Sequence, residues 1–289
     1  LALLGGGAIV AATGTGGFSV TRRPRTALQP WAEAGAYTDP RKRALSYAIL
    51  SPNPHNRQPW LIDLSQDGRA TLYVDRDRLL PHTDPFSRQI VIGLGCFLET
   101  LTLAAAADGL GTEVTLFPEG SDLKTLDDRP VVHVDFGGPA HPEPQLFDQI
   151  FHRRTLKEPY DTDQPVDAET LTAAVASVIR GSGSGTTNAP AEVAKLRELT
   201  AEAFRIAFAT PHTYKESVDL FRIGHKELDA NPDGIDLGGP VFETLRMAGL
   251  FSKESALDRE SIGYKSGLDM VQAKAMTGMA YVWLTTPGN

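Results

Sequence analysis

The run "IVIGLGCFLETLTLAAAA", residues 90–107, constrains the fold of this chain more than any other stretch. Its only charge is Glu99, and Ile90, Leu94, Phe97, Leu98, Leu101 and Ala105 recur at helical spacing. Upstream, Asp84-Pro85 offers an acidic N-cap with proline at the first helical position. Downstream, Gly109 offers a C-cap. The pattern predicts a helix from about residue 84 to Asp108. A helix this apolar must be covered by other elements, so it is read as a core helix.

The neighbouring sequence supplies the cover. Asp39-Pro40 opens a helix over "RKRALSYAIL", which Pro52 stops. "WLIDL" and "ATLYV" are strand-like and are joined by "SQDG", whose Asp67-Gly68 favours a turn. They are expected as an antiparallel hairpin. "TEVTLF" and "PVVHVDF" read as further strands. The first half is thus helix, strand, strand, helix, strand, strand, an α+β layer. The second half, from about "HPEPQLFDQIFHRRTLKEPYD", is mostly helical. Helices are expected at 167–180, 191–208, about 213–229 and 265–276, with "MAYVWLTT" as a last strand. "GSGSGTTN", residues 181–188, reads as a flexible loop by composition.

At 289 residues the chain has room for two subdomains or one large domain. Its 41% hydrophobic and 22% charged content is that of a soluble globular protein. A net charge of −8 argues against a nucleic-acid partner, since no basic excess exists to neutralise phosphates. The single cysteine, Cys96, excludes an intrachain disulfide and a CxxC knuckle. Within the apolar run it reads as a small buried hydrophobe.

Residues 1–20, "LALLGGGAIVAATGTGGFSV", carry no charge. They are rich in Gly, Ala and Thr, which suits the apolar region of an export signal better than a stable membrane helix. The chain begins at Leu1 and ends just after "AYVWLTT", and it is read as a piece of a longer protein. A basic region, including a twin arginine, is expected upstream. Location is therefore expected to be periplasmic or membrane-associated, with a possible tether through residues 1–20. It is cytoplasmic if that run is a buried glycine-rich segment instead. A dinucleotide loop fails, because Gly14 and Gly16 would need a glycine at Ser19.

Metal readings fail too: there is no HExxH and no His/Cys cluster. "DANPDGID", from Asp229, imitates a calcium loop, but its twelfth position is Pro240 rather than Glu. It reads as a capped helix followed by a turn. No G-x-S-x-G elbow occurs.

Two stretches carry chemistry. "HRRTLK", residues 152–157, sets Arg153, Arg154 and Lys157 around the hydroxyl of Thr155. Guanidinium forks, an ammonium and a hydroxyl can surround a phosphate dianion; the bland alternative is a solvated helix face. "SPNPHNRQPW", residues 51–60, fixes its backbone with Pro52, Pro54 and Pro59. Asn53, Asn56 and Gln58 then present donors and acceptors in a preset arrangement. A heterocycle edge with alternating carbonyls and ring nitrogens needs such partners. The bland alternative is a rigid connecting loop. Trp60 is expected to anchor the following strand, and His55 to lie at the surface or behind the site.

Together these stretches resemble the nitroreductase family of FMN-dependent oxidoreductases. Arg153, Arg154, Thr155 and Lys157 are similar to its FMN-phosphate segment, and Pro52, Asn53, Asn56, Gln58, Pro59 and Trp60 to its flavin-lining segment. Asn53 stands where the family has serine. "PEG", residues 118–120, resembles a segment near the flavin N5 edge. The order of the two segments is the reverse of the family's, which resembles the Acg-type subgroup of two fused nitroreductase-like halves.

The resemblance implies an α+β, nitroreductase-like fold: a central, mostly antiparallel sheet flanked by helices, in a pseudo-dimeric single chain that is a monomer. Its parts would be residues 1–30, an export or tether segment; 31–140, a first half; and 141–289, a second half. It implies FMN as cofactor, bound by Asn53, Pro54, Asn56, Gln58, Arg153, Arg154, Thr155 and Lys157. NAD(P)H would be the donor and a small nitroaromatic- or quinone-like molecule the acceptor. No side chain need act as an essential acid or base. The alternative is an FMN-binding or sequestering protein with little turnover.

Overall fold

The computed structural model describes residues 22–122, 125–178 and 183–285. The uncharged run 1–20 and residues 181–182 of the glycine–serine stretch lie outside the described residues. The first half runs α1 (Gln29–Glu33), α2 (Pro40–Ala48), β1 (Trp60–Asp63), β2 (Arg69–Val74), α3 (Arg88–Ala107), β3 (Thr112–Leu116) and β4 (Val132–Phe136). From α2 onward this is the expected order.

Local chemistry explains the element ends. The Asp39 carboxylate accepts from the Arg41 amide and caps α2. Gly68, at φ 71°, turns β1 into its antiparallel partner β2. At the end of α3, Gly109 is left-handed at φ 75°, and the Leu110 amide donates back to the Ala105 carbonyl at 2.9 Å. That contact and the Gly109 amide on Ala106 form a Schellman close. The start of α3 differs from expectation. It begins at Arg88, with Ser87 left-handed at φ 54°. Asp84 still caps it, but from a preceding turn: its Oδ2 accepts from the Ile90 amide at 2.9 Å.

β1–β2–β4–β3 form one antiparallel sheet. Ile90, Leu94, Phe97, Leu101, Ala104 and Ala105 of α3 are buried in one cluster with Ala44, Leu45 and Ala48 of α2 and with Leu72, Val74, Val132 and Val134 of the sheet. Phe97 meets Trp60 with ring centroids 4.9 Å apart. Burying each such large side chain stabilises by roughly 1.5–3 kcal/mol. α3 is thus the core helix its periodicity predicts.

The second half runs α4 (Pro144–Phe147), α5 (Ala168–Val178), β5 (Gly183–Thr187), α6 (Pro190–Ala209), α7 (Pro211–Asp219), β6 (Phe221–Ile223), α8 (His225–Ala230), β7 (Ile235–Leu237), α9 (Pro240–Met247), α10 (Lys253–Leu257), α11 (Ile262–Met276) and β8 (Tyr281–Thr285). Two expectations are corrected. The single helix at 213–229 is broken: β6 pairs in parallel with β7, and Gly224 at φ 80° turns the chain into α8. The glycine–serine stretch is a strand from Gly183 to Thr187, paired antiparallel with β8. Its glycines admit the partner, because a Cβ at Gly185 would lie 2.2 Å from the Trp283 ring. Among the described residues no strand of the second half joins the four-stranded sheet.

The second half has its own small core of Tyr214, Val218 and Ala256 beneath Phe208, Phe221, Phe251 and Tyr264. It meets the first half through apolar contacts, with Phe147 and Leu220 packed on the first core, and through polar ones. His55 Nε2 lies 3.0 Å from Ser217 Oγ. The Glu216 carboxylate accepts from the His82 and Thr83 amides. Asp229 Oδ1 accepts from the Arg25 and Thr26 amides.

Candidate functional site

The segment 51–59 leaves α2 and enters β1 across the face of α3. Its backbone is unusual: His55, Asn56 and Gln58 are all left-handed at φ 50°. Non-glycine residues occupy that region at a cost of about 1–3 kcal/mol each, and such strain clusters at ligand sites. Two devices hold it. Asn53 Oδ1 accepts from the Gln58 amide at 2.7 Å, and Asn53 Nδ2 donates to the Ser51 carbonyl. Gly93 of α3 lies directly beneath, where a Cβ would stand 3.1 Å from Asn53 Cβ and Pro54 Cδ. Asn53 therefore shapes the turn with both ends of its amide. Asn56 is exposed and Gln58 half-exposed.

The segment 152–157 reaches the same neighbourhood from the second half. The segment leading into it is pinned by aromatic rings. Tyr47 of α2 takes Phe147 and Phe151 edge-on at 5.2 and 5.7 Å. This sets Arg153 against the end of α2, where its guanidinium donates to the Leu50 carbonyl at 3.4 Å. Its other described hydrogen bond, to Thr155 Oγ1, is equally long. Burial, then the neighbouring charge of Arg154, holds the Arg153 pKa below its ordinary value. It is a poorly neutralised cation within one residue of the amide segment. Arg154 turns aside: its guanidinium stacks 5.0 Å over Trp31 and bonds the carbonyls of Phe151 and Arg153. Lys157 Nζ donates to the Asp236 carbonyl at 2.7 Å.

Cys96 is half-buried on α3, and its thiol is pushed up by burial against an opposing pull from Arg153. Its carbonyl accepts from Ser51 Oγ at 3.1 Å. "PEG", 118–120, opens from the same end of the sheet but beyond β3, with β2 and β4 between it and β1. His55 is half-buried, and burial lowers its pKa first, with Glu216 opposing.

Sequence reasoning missed the residues that seat these segments. Gly93, Tyr47, Phe147 and Phe151 carry no motif, and only their contacts in the fold mark them. It read the stretch after Asp229 as a capped helix and a turn but missed the contacts that stretch makes with the amide segment. The Gly234 amide donates to the Asn56 carbonyl at 3.1 Å, and Gln58 Nε2 donates to the Pro232 carbonyl at 2.6 Å.

No protein-family model matches the chain. It is 33% identical over 150 residues to "Putative NAD(P)H nitroreductase acg" of Mycobacterium tuberculosis, covering 50% of this chain and 43% of that one. A second protein of that organism with NAD(P)H nitroreductase in its name is 28% identical over 143 residues, 48% of this chain and 39% of its own. An uncharacterized protein of the same organism is 32% identical over 127 residues, 42% of this chain and 36% of its own. The chain is similar to proteins named as nitroreductases. Each match spans less than half of the relative's own length.

Proposed function

We propose that this chain belongs to an FMN-dependent oxidoreductase that passes electrons from NAD(P)H to an electron-poor, nitroaromatic- or quinone-like acceptor. The observation that carries the reading is the approach of Arg153 to Leu50 at 3.4 Å. It brings a half-buried cation from one half beside the amide segment of the other, about a hundred residues earlier. The names of the relatives point the same way.

The residues present fit a flavin mononucleotide in chemistry. Arg153, with Thr155 beside it, would hold the phosphate; an anion there relieves a desolvated cation. Asn56 and Gln58 would meet the polar edge of the ring system. Asn53 and Pro54 would hold that wall in shape over Gly93. Lys157, whose ammonium has three donors, would reach the phosphate while keeping the Asp236 carbonyl, and Arg154 would join by leaving its carbonyl partners. When bound, FMN supplies the electron-transfer chemistry. The protein's own residues bind and orient it, and none is required as an acid or base. Export through residues 1–20 and a pseudo-dimeric, Acg-type arrangement belong to the same proposal.

The test is the spectrum of the purified full-length protein. It should be yellow and release FMN, not FAD, on denaturation. Recovery of FAD, or no flavin after incubation with FMN, would end the reading. Stopped-flow reduction by NAD(P)H then separates an oxidoreductase from a protein that only holds flavin.

A further inference from the structure

We infer that Asp233 is a positioning residue for the candidate flavin site, anchoring a strap, residues 232–236, that ties the amide wall to the phosphate wall. The inference rests on the flavin reading above. Three guanidiniums converge on this one carboxylate. Arg57 meets Oδ2 at 3.0 Å, Arg78 meets Oδ2 at 3.3 Å and Arg222 meets Oδ1 at 2.6 Å. Arg57, Arg222 and Asp233 are 13%, 12% and 15% exposed, so these three are largely shielded from water, while Arg78 at 37% lies at the cluster's edge. The charges come from three separate places. Arg57 lies inside the amide segment, Arg78 follows β2, and Arg222 is in β6.

The backbone on either side of Asp233 does the tying. Pro232 accepts from Gln58 Nε2, and Gly234 donates to the Asn56 carbonyl. Two residues further, the Asp236 carbonyl accepts from Lys157 Nζ. One short strap therefore touches Asn56 and Gln58 on one wall and Lys157 on the other. Gly234 is needed for its course. It is left-handed at φ 81°, and a Cβ there would lie 2.4 Å from the Leu220 carbonyl oxygen. The strap is also the stretch whose spacing imitates a calcium loop. Its acidic residue holds arginines instead.

Removing the carboxylate leaves the Arg57 and Arg222 guanidiniums facing one another with little water, beside the more exposed Arg78. Arg78 keeps Asp75 at 3.1 Å, while Arg57 and Arg222 lose their ion-pair partner. They repel, the strap lifts, and both walls loosen together. A residue that merely supported the fold would move the melting temperature without moving the two walls in step.

The experiment uses the full-length protein with FMN as the probe. Affinity is measured by flavin-fluorescence titration, and backbone amide exchange is followed over residues 53–58 and 153–157. Asp233→Asn should weaken FMN by about tenfold or more, the scale for breaking a shielded charge pair. Exchange should quicken in both segments. If Asp233→Asn does not fold, Pro232→Gly decides, because Pro232 is exposed and the ion cluster is kept. It should weaken FMN several-fold, with faster exchange over both 53–58 and 153–157. Wild-type affinity in a folded variant, or loosening of one segment alone, overturns the strap. Wild-type protein that never binds FMN overturns the flavin reading; concerted loosening in that case still supports the tie between the segments.

Discussion

At the residue scale, Arg153 and His55 behave differently from their exposed counterparts. Arg153 is a half-buried cation whose described side-chain hydrogen bonds are both 3.4 Å long. Hydrogen bonds to charged groups contribute about 1.5–3 kcal/mol net. Arg153→Ala should therefore weaken FMN by about tenfold or more. Arg154→Ala should cost less, since Arg154 now lies on Trp31. Titration of both variants checks the order; equal, unchanged affinities would return "HRRTLK" to an ordinary solvated segment. His55 makes a pH prediction. Burial lowers its pKa, so below about pH 6.5 the unfolded chain binds a proton that the folded chain refuses. Stability is full above that point and falls as pH drops toward the lower folded pKa. Asp39 and Asp135, also lowered, lose their contributions only below the ordinary carboxylate range near pH 4. The two windows are therefore separable. Urea midpoints at about pH 7.5 and about pH 5.5 should differ in the wild type and differ less in His55→Asn, whose side chain tolerates the left-handed backbone.

At the element scale, α3 does two jobs. One face builds the core, and Gly93 seats the amide segment. Gly93→Ala gains up to about 1 kcal/mol of helix propensity and sets it against a tight contact, so stability should change little. Gly93→Val adds bulk at 3.1 Å from Asn53 and Pro54 and should displace the strained turn. Circular dichroism should show the helix intact while FMN binding falls further than in the alanine variant. Equal affinity in both would show that Gly93 is not the seat. This also marks what was legible in sequence. α2, α3 and the β1–β2 hairpin were readable because their signals are local: Asp39, Gly68 and Gly109 act within a few residues. The turn at 51–59 was marked locally too, by Pro52, Pro54 and Pro59. The β5 strand was not, since glycine and serine disfavour strands and only pairing with β8, about a hundred residues later, holds it there. The break in the helix at 213–229 likewise depends on β7. Asp233 was hidden because its three arginines come from distant parts of the chain.

At the scale of the whole molecule, the proposed fusion of two nitroreductase-like halves raises the question of how many cofactors the chain would hold. A fused pseudo-dimer inherits two potential sites, each needing an amide wall from one half and a cation wall from the other. One pair is assembled: Arg153 reaches Leu50, and Lys157 and Gln58 share the strap at 232–236. The other pair would need an amide wall after α5. There the chain forms β5, whose glycines lie against Thr285 and Trp283 and present no glutamine or asparagine to a ring. Its cation wall would come from "TRRPRT", residues 21–26. In that segment the Arg25 and Thr26 amides are already spent on Asp229, at 2.7 and 2.8 Å. Pro24 stands where the hydroxyl should be, and proline offers neither a hydroxyl nor an amide donor. On the proposed reading one pair of walls is brought together, whereas the other finds no amide wall in β5 and a cation segment interrupted by Pro24. The expected stoichiometry is one FMN per chain. Flavin quantified against protein on a monomeric sample of the full-length protein gives the ratio directly. A value near one that disappears in Asn56→Ala plus Arg154→Ala supports the single site. A value near two would mean that β5 or the 21–26 segment does hold flavin, and that the fusion has kept both sites.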